Sequence, residues 1–198
     1  MLKRLLLLSG FAFVYMAARH WQERPIEYPP GVLVSQSPVQ VTIGPAQFNL
    51  EEYLVTKRAS FEIRARVLSS RRYYLGREAD LSPIDLALGW GPMSDQSVLD
   101  QIEISQSGRW YRTRWDRPAP LTDEQVIQNS GNMHMIPAAK SIAKDLKGLR
   151  DGDLVTLRGF LVDIDHESGW HWRTSLSRQD TGAGACEIVF VESVLLER

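Results

Sequence analysis

Cysteine is nearly absent from the chain: Cys186 is the only one among 198 residues. An intramolecular disulfide is therefore excluded, and a domain of this size needs none. Cys186 lies far from the N-terminal apolar stretch, so no lipid-acceptor cysteine follows that stretch directly and a classical lipoprotein is excluded. A lone cysteine on an alternating apolar strand reads as a small buried hydrophobe rather than a nucleophile. A charge excess is lacking too, since the formal net charge is −1. Without the residues before Pro25, which carry Lys3, Arg4, Arg19 and Arg24 against Glu23, it falls to −4. That balance disfavours nucleic acid as a partner. There is no internal repeat and no low-complexity tract. Aromatics are not scarce: six Trp, six Tyr and six Phe supply bulk for a real core.

The one long apolar run is at the start. Lys3-Arg4 precedes Leu5 to Ala18, interrupted only by Ser9 and Gly10. A positive region before such a run marks a secretory signal or a signal anchor. Its length of about 14 residues is short for a comfortable span, which tilt and Trp21 at the interface could offset. Met16-Ala17-Ala18 followed by Arg19 is a poor cleavage site, so an uncleaved anchor is expected ahead of a cleaved signal. Residues 1–20 are thus assigned to the signal segment, with membrane contact through residues 2–18. The expected location is the inner membrane, single-pass with the C-terminal domain outside the cytoplasm; a secreted or periplasmic form after cleavage is the alternative. Pro25, Pro29, Pro30, Pro38 and Pro45 make residues 21–45 a stiff, extended tether. Residues 46–198 form one β-rich domain.

Within that domain Phe61, Ile63, Ala65 and Val67 alternate with Glu62, Arg64 and Arg66, as in a half-buried strand. Val39, Val41 and Ile43 suggest a weaker strand before it. Ser82-Pro83-Ile84-Asp85 has the look of a short helix start, stopped by Gly89, Gly91 and Pro92. A strand begins at Ile102 and Ile104 and continues toward Trp110, Tyr111 and Trp115. Thr122 with Gln125 forms a capping box. Ile142, Leu146 and Leu149 mark one face of a helix over 138–149. Beyond it, strands are expected over 154–164 and 170–177, with a last one from Cys186 through Val191. The fold class is mainly β with inserted short helices (α+β), arranged as a small closed or half-closed barrel. The oligonucleotide/oligosaccharide-binding (OB) fold is one such barrel and carries a helix before its last two strands. Fold alone confers no function.

Two stretches stand apart from generic loops: Asp85-Leu86-Ala87-Leu88-Gly89-Trp90-Gly91-Pro92-Met93-Ser94-Asp95 and Asn132-Met133-His134-Met135-Ile136-Pro137-Ala138. With Gly169-Trp170 through Asp180-Thr181-Gly182 to Cys186-Glu187, they resemble uncharacterised bacterial proteins that pair an N-terminal membrane segment with an exported domain. The resemblance covers most of residues 60–192. It implies an extracytoplasmic address and carries no functional residue.

Asp180-Thr181-Gly182-Ala183 matches the string of retroviral-type aspartic proteases, but Arg178 and Gln179 stand where a buried apolar strand is required, and too little chain follows. It reads as a glycine-rich turn. Asp163, Asp165, His166, Glu167 and His171 crowd one strand–turn–strand, yet their spacing fits no standard metal site. No metal, cofactor or catalytic residue is assigned. His134, between two methionines, reads as a buried histidine bonded to loop backbone, with an acid–base role as the alternative.

Arg64 and Arg66 and, further on, Arg112 and Arg114 beside Trp110 could form an arginine–aromatic groove for an anionic polymer. The opposing expectation is a core-facing strand that buries Tyr111 and Trp115 and leaves Arg112 and Arg114 in solvent. Alternation also places Trp170 and Trp172 on one face, with His171 and Arg173 on the other. Candidate binding residues are therefore Trp110, Arg112, Arg114, His134 and His171. The expected function is a non-enzymatic, membrane-tethered envelope domain recognising a protein or polymer partner, with an envelope protein or an anionic polymer as the partner considered. An exported hydrolase using His134 or His171 and a nucleic-acid-binding barrel are the alternatives.

Overall fold

The computed structural model describes residues 24–177 and 185–197. The expected signal segment, the Asp180-Thr181-Gly182-Ala183 string and the turn expected at Gly182 and Gly184 lie outside the described residues. Strands hold 49% of the described residues and helices 17%, so the fold is mainly β. Its spine is β2 (Tyr53–Arg72), a strand of 20 residues. The alternation read from sequence is present there: Phe61, Ile63, Ala65 and Val67 are buried, and Glu62 is exposed.

Around β2 the sheet closes into a ring. β2 pairs with β3 (Ile84–Gly89), which pairs with β6 (Ser130–Pro137). β6 runs parallel to β9 (Glu187–Glu197), β9 pairs antiparallel with β7 (Leu154–His166), and β7 returns to β2. β1 (Val39–Leu50) adds to β2, and β8, only His171–Trp172, adds to β7. Gly159 lets β7 approach β9 where their register shifts, since a Cβ there would lie 1.9 Å from the Phe190 carbonyl oxygen. One core cluster gathers Ile63, Leu86, Met133, Leu157 and Val189; a second gathers Tyr53, Val55, Ile164 and Phe190.

Among the described residues four short α-helices connect the strands: α1 (Arg77–Leu81), α2 (Gln96–Leu99), α3 (Asp123–Asn129) and α4 (Lys140–Gly148). The capping box of Thr122 and Gln125 forms at the start of α3. The helix expected from Ser82 does not form. Residues 84–89 are β3, all six buried between β2 and β6, and the helix precedes them. Burial on both faces leaves a strand without alternation, and six paired residues outweigh one local capping pattern.

The single strand expected from Ile102 to Trp115 is instead a hairpin. β4 (Glu103–Ser107) turns at Gly108 and Arg109 into β5 (Trp110–Arg114). Both turn residues have positive φ, 56° and 64°, as a tight two-residue hairpin loop requires. Tyr111 and Trp115 pack with Leu68, Met93 and Ile102 in a third apolar cluster between hairpin and ring.

The tether differs from a free spacer. Residues 26–34 lie along the domain, and β1 begins inside the expected tether. Ile26 N–H donates to the Asp151 carbonyl at 2.9 Å, and Gly31 N–H to the Asp95 carboxylate at 3.0 Å. Leu33 and Val34 N–H groups donate to Ser94 Oγ at 3.1 and 3.0 Å. Val34 is 0% exposed, inside the main core. Proline stiffness does not prevent docking when the extended backbone finds acceptors in register.

Candidate functional site

Pairing of β3 with β6 sets Asp85 directly opposite His134. Both are deeply buried, at 0% and 4% exposure. His134 Nδ1 lies 2.9 Å from Asp85 Oδ1. The approach is poorly aligned, so Nδ1 and the other carboxylate oxygen, Oδ2, make no well-formed hydrogen bond. A buried carboxylate needs a cation or several donors. The hairpin turn supplies the cation: Arg109 Nη1 donates to Asp85 Oδ1 at 2.7 Å, and Nη2 to the Ser82 carbonyl at 3.0 Å.

Aromatics hold this cluster in place. The Arg109 guanidinium stands 4.2 Å from the centroid of Tyr73 and 5.4 Å from that of Trp172. Trp172 also packs on His134, centroids 4.8 Å apart. Arg109 N–H donates to Tyr73 Oη at 2.9 Å, and Asn132 Nδ2 to the Arg109 carbonyl at 3.2 Å. Burial, then the Asp85 charge, pushes the Tyr73 phenol above its ordinary range. In the neighbouring layer Tyr111 donates to Ser130 Oγ at 3.1 Å, and burial pushes its phenol up to about 12. Both tyrosines therefore act as neutral hydroxyls at physiological pH.

Two adjoining pockets open around the hairpin. The larger, about 620 Å³, is walled by Tyr73, Arg109, His134, His171, Trp172 and Arg173, with Leu75 and Glu78 also lining it. The smaller, about 260 Å³, is mainly apolar and lined by Trp90, Tyr111, Val126 and Ile127, among others. Trp110 and Cys186 line both, so the pockets form one composite cleft. Trp110 is 45% exposed, an accessible aromatic at the shared wall.

Of the residues singled out from sequence, Trp110, His134 and His171 meet in this cleft. Arg112 and Arg114 do not: they are exposed on β5 and line neither pocket, and Arg114 Nε stands 3.9 Å from Glu103. Arg64 is held by Glu197, at 2.8 and 2.6 Å. Arg66 is buried against residues 26–34, donating to the Ile26 and Ser94 carbonyls, and burial lowers its pKa from the ordinary value. No continuous arginine–aromatic groove joins these residues.

His134 sits on a strand beside a carboxylate, not in a loop bonded to backbone. Trp170 and Trp172 pack together, centroids 6.2 Å apart, while His171 is exposed. Asp163 is engaged by Arg58 and the Thr174 N–H, Asp165 by Arg173, and His166 by Ser168. Among the described residues no group of three or more His, Cys, Asp or Glu side chains is placed to hold a metal.

Asp85, Arg109, Tyr73 and Trp172 were not among the candidate binding residues. An acid inside the apolar run Ile84–Leu88 was the available signal, because a charge buried in a strand requires a partner. Among the described residues no helix is long and apolar enough to cross a membrane; the expected segment lies outside them. No protein-family model, curated protein or solved structure matches the chain.

Proposed function

We propose that the chain is a non-enzymatic binding domain of the bacterial envelope, tethered by its N-terminal segment and recognising a polymer partner through the composite cleft. The observation that carries this reading is the cleft itself. Two adjoining pockets share one accessible tryptophan, with polar imidazole and guanidinium groups on one side and apolar walls on the other. Concave, mostly apolar sites with a few fixed polar groups are what ligand recognition uses. We read the five-strand ring as an OB-like barrel, because α4 stands before its last two strands, β7 and β9. Such barrels bind oligonucleotides and oligosaccharides on one face.

The test passes solubilised envelope polymers over immobilised full-length chain. A polymer should be retained by the wild type and released by Trp110→Ala. Failure of every polymer to bind would sink the reading. The address is tested separately: protease added outside spheroplasts should digest the domain, and full protection would overturn the extracytoplasmic placement.

A second reading, an exported hydrolase, is favoured by the Asp85–His134 pair at a pocket wall. Asp85 would orient the imidazole, and His134 would take a proton from an attacking water. Turnover of ester or glycoside substrates, lost in His134→Asn, would put this reading first.

A further inference from the structure

The charges of the cleft decide what kind of polymer fits it. Arg109 is bound to Asp85 at 2.7 Å, with Glu78 3.9 Å from its Nε. Arg173 is bound to Asp165 and donates to the Ile164 carbonyl at 2.9 Å. Both arginines that line the larger pocket thus already face carboxylates. The carboxylates that these arginines face, Asp85, Glu78 and Asp165, outnumber them. A polyanion would have to compete with these pairs, and breaking the buried Arg109–Asp85 pair leaves a charge uncompensated. Arg112 and Arg114, the latter 3.9 Å from Glu103, lie outside both pockets.

What the cleft offers instead is stacking and neutral hydrogen bonding. Trp110 presents an accessible ring at the shared wall. The Glu78 carboxylate is half exposed, and His171 is exposed beside it in the same pocket. His134 lines the floor, 96% of its surface covered, with Nδ1 turned to Asp85 yet lacking a well-aligned bond. That orientation leaves Nε2 as the ring nitrogen for a ligand. A ligand hydroxyl both donates and accepts, so it can satisfy a carboxylate and an imidazole alike.

We propose that the cleft is a saccharide site that takes neutral sugar units of a glycan chain, one ring stacked on Trp110 and its hydroxyls bonded to Glu78, His171 and His134. The inference rests on the polymer-binding reading above. Trp110 supplies an apolar face for the C–H side of a sugar ring, as aromatic side chains with one wet edge do at interfaces. The neighbouring, mainly apolar pocket, about 260 Å³, adjoins at Trp110 and is large enough for an adjacent unit of the same chain.

The experiment is calorimetric titration of the full chain in detergent micelles with three uncharged hexasaccharides, of glucose in α- and β-linkage and of N-acetylglucosamine. Dextran sulfate and polyglutamate serve as polyanions. At least one neutral hexasaccharide should bind, with affinity nearly independent of salt. Trp110→Ala should weaken it about tenfold, the loss of one stacking contact. Glu78→Gln should weaken it as well, while Arg112→Ala with Arg114→Ala should leave it unchanged. Thermal melts confirm that each variant is folded. Binding of a polyanion alone, steeply dependent on salt, would overturn the neutral-sugar inference and keep the polymer-binding reading. Binding of neither class by the folded wild type would overturn both.

Discussion

Asp85 is the residue on which the cleft depends. Its carboxylate is wholly buried on β3, and two groups converge on a single oxygen: Arg109 at 2.7 Å and His134 at 2.9 Å. A charge in that position is tolerated only because the hairpin turn delivers a guanidinium to it. Arg109 in turn is 15% exposed along its side chain, so it too relies on the pair. Glu78, at 3.9 Å and half exposed, is a weak substitute. Asp85→Asn keeps the shape and removes the charge. It should destabilise the domain by about 3 kcal/mol, the usual cost of leaving one member of a buried pair without its partner. The loss is read as a lower urea midpoint with an unchanged slope. A change below about 0.5 kcal/mol would mean that Arg109 finds solvent in the variant and that the pair does not hold the hairpin.

At the scale of elements, the segment 26–34 behaves as a strap whose anchor is electrostatic. The Gly31 N–H, first, and the Ser97 hydroxyl, next, hold the Asp95 carboxyl below the ordinary carboxylate range. A depressed folded-state pKa means that stabilisation is fully present above the unfolded value and is lost as pH falls through the folded one. Acidification below about pH 4 should therefore loosen the strap before the ring, and an acid-active protease should cut near Gly31 faster there. In Asp95→Asn that acid dependence should vanish; its persistence would place the acid-sensitive contact elsewhere. The strap was not legible in the sequence, because prolines announce extended backbone without saying what the backbone binds. Strands half-buried by alternation were legible, as Phe61 to Val67 shows, and so was the capping box at Thr122. β3 was not, since burial on both faces erases the period and Ser82-Pro83 imitates a helix start. The hairpin was hidden because Arg109 takes a positive φ that glycine or asparagine usually announces. Part of the site was legible for the same reasons. His134, His171 and Trp110 stood out by residue type, whereas Arg109 and Asp85 meet across 24 residues, through strand pairing and a turn that local sequence does not declare.

For the whole molecule the question is where the folded unit begins. The ring closes only when β9, the last strand, enters between β6 and β7, so its stability depends on pairings far apart in sequence. The strap adds a contribution from the opposite end of the chain. Val34 is enclosed in the main core, its carbonyl accepts the Gly91 N–H at 2.6 Å, and Ile26 accepts from buried Arg66 at 3.1 Å. A chain starting at Arg24 should therefore be soluble and fully folded, since it keeps the whole strap. A chain starting at Ser35 loses the Val34 side chain, worth about 2 kcal/mol of burial. It also leaves Arg66 and Ser94 without strap partners, about 1 kcal/mol each for hydrogen bonds of this kind. Together these amount to about 4 kcal/mol, or a fall in melting temperature of about 10 °C for a domain of this length. Differential scanning of the two truncations measures it directly. Equal melting temperatures would show that residues 26–34 rest on the domain without stabilising it, and would return the boundary of the folded unit to β1. A lower melting temperature for the shorter chain would place the start of the folded unit at the strap, near Ile26, rather than at β1.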